Sequence, residues 1–111
     1  MIRVREFEMD GVKLKLASMN FAMAEKFVED GKAFLEKMKA GELRPQAWME
    51  RRNAALLDAL KRAGTEWDEV KLKEELDIPL IEFFYDSLLK FSGLTPGEAV
   101  AVSASPSSEA A

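Results

Sequence analysis

Apolar and charged residues alternate along "EFEMDGVKLKL", residues 6–16, on both sides of Asp10-Gly11. A period of two marks half-buried strands, and Asp-Gly suits the positive φ angles of a two-residue type I′ turn. That turn sets the register. Met9 opposite Val12 and Phe7 opposite Leu14 make one apolar face, while Glu8 meets Lys13 and Glu6 meets Lys15 on the other. An isolated hairpin is marginal in water, so its apolar face is expected to lie on the elements that follow.

From Phe21 the period becomes helical. Phe21, Ala24, Phe27, Val28, Phe34, Leu35 and Met38 recur at helix spacing, with Ser18 and Asn20 as candidate N-caps and Gly41 as the stop. Gly31 falls inside this stripe at a cost of about 1 kcal/mol against Ala, and is read as close packing against another backbone. Pro45 opens a second helix through Trp48, Met49, Ala55, Leu56, Ala59, Leu60 and Ala63, ending at Gly64. Thr65 and Asp68 approximate a capping box for a short charged helix, with Trp67, Val70 or Lys71, and Leu76 on its inward edge. Asp77 then caps, and Pro79 is tolerated in the first turn of the most hydrophobic helix, Leu80 to Phe91, which Gly93 closes. From Leu94 the chain is mostly Ala, Ser, Pro and Gly with two acids and no Lys or Arg, a composition too poor in apolar surface to offset its ordering entropy. The pattern predicts an α+β domain over residues 1–94, an N-terminal β-hairpin packed on a bundle of about four helices. A mobile, disordered C-terminal tail is predicted over 95–111, in which Thr95-Pro96-Gly97-Glu98 has the form of a helix start.

Composition narrows function by exclusion. A chain of 111 residues suffices to bury roughly two thirds of its unfolded surface in one core. Cys and His are absent, which removes disulfides, thiol chemistry, the commonest metal ligand and the commonest general base. A net charge of −4 argues against nucleic acid as a partner. Apolar runs are far too short for a membrane span and the N-terminus lacks a secretory segment, so a cytoplasmic protein is expected. The acid pairs Glu29-Asp30, Asp68-Glu69 and Glu74-Glu75 are helix neighbours that diverge by about 100°, and are read as solvated faces, with no metal and no cofactor. No serine is set among nucleophile-elbow glycines, and no glycine-rich phosphate loop is present. The chain is read as non-catalytic.

The aromatics carry the remaining signal. Phe83, Phe84 and Tyr85 are consecutive and Phe91 lies further along, so together they cover more than one helix face. In the plainer reading one face meets the hairpin and the other the helices. The alternative is a contact surface, for which Phe84, Phe91, Trp48 and Trp67 are the candidate partner-binding residues. Arg44, Arg51, Arg52, Lys61 and Arg62 make the second helix basic, and are read as a solvated face in preference to a surface for an acidic partner.

The order of these pieces is also informative: a short hairpin, "LASMNFAMAEKFVE", an Arg-rich middle helix, "ELDIPLIEFFYDSLLKFSGL" and an Ala/Ser/Pro tail. Over residues 5–99 it resembles the small tail assembly chaperones of long-tailed bacteriophages. The resemblance rests on layout and on the "IPL…L…FSGL" ending. It implies a scaffold in the host cell cytoplasm that coats the tape measure protein, helps recruit tail tube protein subunits and is absent from the finished virion. It also implies a longer frameshifted product joined near the tail. The partner of the aromatic surface would then be the tape measure helix or a second copy in a homo-oligomer. The competing readings are a small phage or prophage accessory or regulatory protein that binds a host factor and, from another class, a carboxylate-based enzyme.

Overall fold

The computed structural model describes residues 2–95. Strands β1 (Val4–Met9) and β2 (Val12–Ala17) form a two-stranded antiparallel sheet, followed by helices α1 (Phe21–Lys39), α2 (Ala47–Arg62), α3 (Glu69–Glu75) and α4 (Ile78–Phe91). The register is Met9 with Val12, Glu8 with Lys13, Phe7 with Leu14 and Glu6 with Lys15. Asp10 and Gly11 take φ of 53° and 80°, the left-handed pair that a type I′ turn demands. The hairpin packs on the helices as the alternation predicts. The tail expected over 95–111 lies, apart from Thr95, outside the described residues.

Caps fix most helix ends. Asn20, rather than Ser18, caps α1, its side-chain oxygen accepting from the Met23 amide at 2.8 Å. Asp77 does the same for α4 through the Leu80 amide at 3.0 Å. The capping box expected from Thr65 to Asp68 does not form. Asp68 caps α3 alone, through the Lys71 amide at 2.8 Å, while the Thr65 hydroxyl donates to the Leu60 carbonyl at 2.7 Å. Thr65 therefore closes α2, because a helix C-terminus leaves carbonyls without intrahelical partners.

The core is organised around α4. Leu14 and Leu16 of the hairpin, Leu56 and Leu60 of α2, and Leu72 and Leu76 around α3 enclose Leu80, Ile81, Phe84 and Leu88. A second cluster continues around the helix, where Tyr85 and Leu89 meet Met19, Phe27, Ala55 and Leu94. At about 100° per residue, only the stripe Glu82, Asp86 and Lys90 remains open to solvent along the body of α4. No helix among the described residues is long and apolar enough to cross a membrane.

Helix α1 is the exception. No Cα atom of α1 lies within 8 Å of a Cα atom in another helix or strand, and Gly31 is its only buried residue. The close backbone approach predicted at Gly31 is thus absent. Phe27, Gly31 and Phe34 share one face, and the Arg51 guanidinium of α2 lies over both rings, 4.2 Å and 5.7 Å from their centroids.

Truncating the inner face of the hairpin should therefore cost much more than truncating its outer face. Leu14→Ala is expected to lower the unfolding free energy by about 2–5 kcal/mol in urea titration. Val4→Ala, on the outer face, should stay within about 0.5 kcal/mol. Equal losses would show that the hairpin does not seal the core.

Candidate partner-binding groove

The loop from Ser18 to Asn20 determines where α1 starts. The Met19 amide donates to Ser92 Oγ at 2.9 Å, which ties the loop to the end of α4. Arg62 Nη1 donates to the Ser18 carbonyl at 2.8 Å, which ties it to α2. Beyond this anchor α1 is held by side chains. Phe27 meets Tyr85 edge-on at 6.4 Å, Phe34 meets Trp48 at 6.2 Å, and Arg51 Nη2 donates to the Phe27 carbonyl at 2.9 Å. A guanidinium over an aromatic face adds about 0.5–2 kcal/mol. Burial lowers the pKa of Arg51, while Tyr85 and then Asp30 act in the opposite sense. A guanidinium stays charged even so.

This suspension leaves an open groove of about 630 Å³ between α1 and the end of α4. Met19, Phe21, Ala24, Val28 and Leu94 supply its apolar lining, and Glu25, Glu29 and Lys32 its charged rim. Phe21 is 83% exposed, and Met23 and Met38 are exposed further along the same helix. The apolar residues of α1 divide into two ridges. Phe27 and Phe34 face the body. Phe21, Ala24, Val28, Gly31, Leu35 and Met38 follow the alternating three- and four-residue steps of a coiled-coil seam. Of these six only Gly31 is buried; the rest are half-buried or exposed.

The four aromatic residues predicted to bind a partner do not come together. Phe84 is 0% exposed in the centre of the core, so it cannot meet a partner in this fold. Its assignment is corrected: the apolar surplus of α4 is covered by the chain itself, as in the plainer of the two readings. Phe91 is half-buried, 5.7 Å from the Phe7 ring and beneath Arg3 and Arg5 at 4.6 and 5.0 Å. Arg3 also donates to the Phe91 carbonyl at 2.8 Å. Trp48 lies half-buried on Phe34, at the end of α1 opposite the groove. Trp67 leans on the main core with Lys71 Nζ 4.6 Å from its ring.

The basic face of α2 is corrected as well. Arg52 is 6% exposed and pairs with Glu82 at 3.3 Å, Arg62 binds Asp58 at 2.7 Å besides Ser18, and Arg51 supports α1. Three of the five cations hold the structure together instead of facing water. Among the described residues no three acidic, Cys or His side chains are grouped as a metal site requires. Comparison with models of known protein families, with curated proteins and with solved structures returns no match.

Tyr85 provides a test of the junction between α1 and the core. Burial pushes its phenol up to about 12, with Arg51 pulling the other way. The folded chain favours the neutral phenol, whereas an unfolded tyrosine ionises near pH 10. This contribution to stability is complete below about pH 10 and lost as pH rises toward 12, by roughly 2–3 kcal/mol in all. Urea titrations at pH 9 and 11.5 should show about two thirds of that loss in the parent and lack it in Tyr85→Phe. Parallel pH dependence of the two proteins would contradict the buried junction.

Proposed function

We propose that this chain is a non-catalytic chaperone that seats an apolar-striped helix of a client protein against α1. The observation that carries the reading is the open ridge of α1, with Phe21 at its head and a groove of about 630 Å³ beside it. A groove of this kind accepts a helix whose apolar side chains recur every three to four residues, and moderate exposure permits release. The sequence resemblance gives the client a class: the long helical tape measure protein of a tailed phage, coated in the host cytoplasm while tail tube subunits are recruited. The anchors expected at Phe84, Phe91, Trp48 and Trp67 are replaced in this proposal by Phe21, Ala24, Val28 and Leu35 on α1.

Co-expression with a candidate tape measure protein tests the reading. The parent chain should keep the client soluble and co-purify with it. Phe21→Asp should abolish co-purification without lowering the melting temperature, because Phe21 is exposed and an acid in the first turn favours the helix dipole. Phe84→Ala should instead cost about 3–5 kcal/mol of stability. A client that is insoluble with the parent chain, or equally soluble with Phe21→Asp, would refute the assignment.

A further inference from the structure

Helix α1, which carries the open ridge, has a charge pattern of unusual symmetry along its length. From Phe21 to Asp30 the helix has three acids, Glu25, Glu29 and Asp30, against one lysine. From Gly31 to Lys39 it has three lysines, Lys32, Lys37 and Lys39, against one acid. The two halves therefore carry equal and opposite charge. Glu25 and Lys32 stand on the rim of the groove, and neither forms an ion pair within the described residues. Seven residues apart, they are too distant on one helix to satisfy each other.

A helix whose halves are opposite in charge is complementary to itself when reversed. A two-fold axis makes that reversal, because an isologous contact places each residue against its symmetry counterpart. We propose that a second copy of this chain covers the groove, its α1 antiparallel to the first about a two-fold axis near Val28. In that register Phe21 lies over Leu35 of the second copy, and Glu25 flanks its Lys32, twice over by symmetry. Ala24 beside the axis allows the helices to approach at the 8–10 Å usual for packed helices. A parallel arrangement sets acid against acid and lysine against lysine. An unrelated client has no need of a self-complementary rim, so the inference goes beyond the client reading and does not depend on it. The same ridge serves both, and a client helix competes with the second copy.

Sedimentation equilibrium of the full chain at low salt tests the pairing through a charge exchange. Glu25→Lys alone and Lys32→Glu alone should each weaken dimerisation by roughly tenfold, since each puts two like-charged contacts in the interface. An equimolar mixture of the two variants restores both pairs and should dimerise about as tightly as the parent. Both positions are exposed, so helical content by circular dichroism should be unchanged. The chain has no cysteine, so single substitutions read the orientation directly. Val28→Cys should cross-link to itself under oxidation and Phe21→Cys should not. A monomeric parent at millimolar concentration, variants that dimerise like the parent, a mixture that fails to recover, or cross-linking at both positions would each overturn the proposal. A parent that becomes dimeric only after truncation beyond Thr95 would overturn it too, in favour of the chain's own C-terminal residues as the cover. Client co-purification is a separate readout, so failure of either reading leaves the other standing.

Discussion

The structure depends on the burial of α4. A helix that is apolar over most of its circumference has no stable place at a domain edge, and this one is enclosed by the hairpin, α2 and α3, with only Glu82, Asp86 and Lys90 left outward along its body. Each neighbour is committed to it. The hairpin contributes Leu14 and Leu16, α2 contributes Leu56 and Leu60, and the short α3 exists mainly to present Leu72 and Leu76. Of the large apolar residues left exposed, Phe21, Met23 and Met38 fall on α1, which meets the Tyr85 and Leu89 cluster of α4 through Phe27. The open groove follows from a domain whose central helix has already used its best covers.

Long side chains span the gap between α1 and the rest. Arg51 reaches from α2 to the Phe27 carbonyl and lies over two rings, and Trp48 extends to Phe34. Arginine suits this position because its planar cation stacks on aromatic faces while donating in the same plane. Gly31, between Phe27 and Phe34 in the chain, is the one buried residue of α1.

Local features were legible and long-range ones were not. The hairpin register followed from Asp10-Gly11 and the alternation around it, because turn and pattern act between near neighbours. Asn20, Asp77 and the glycines after α1, α2 and α4 were readable for the same reason. Thr65 was ambiguous, since it stands between two helices and either end can use a hydroxyl; the Leu60 carbonyl, which accepts from both the Thr65 amide and its hydroxyl, decided it. Phe84 and Phe21 show the harder case. Both lie on apolar helix faces in the sequence, one ends at 0% exposure and the other at 83%, and the difference is set by which helix occupies the centre of the domain. The three structural arginines of α2 read as a solvated face in the sequence because their partners are up to 44 residues away, and one of them is a backbone carbonyl in another helix.

The suspension of α1 by side chains separates the sites where substitutions are costly from the sites where they are visible to other molecules. A change at Leu60 or Leu88 acts on every neighbour in a close-packed core. A change at Phe21 or Met38 touches little of this chain and alters mainly what another molecule meets. The outer ridge of α1 can therefore drift over generations at small cost to folding. A protein built this way can follow a changing counterpart residue by residue while its scaffold stays constant, so related chains should diverge fastest along that ridge and slowest around α4.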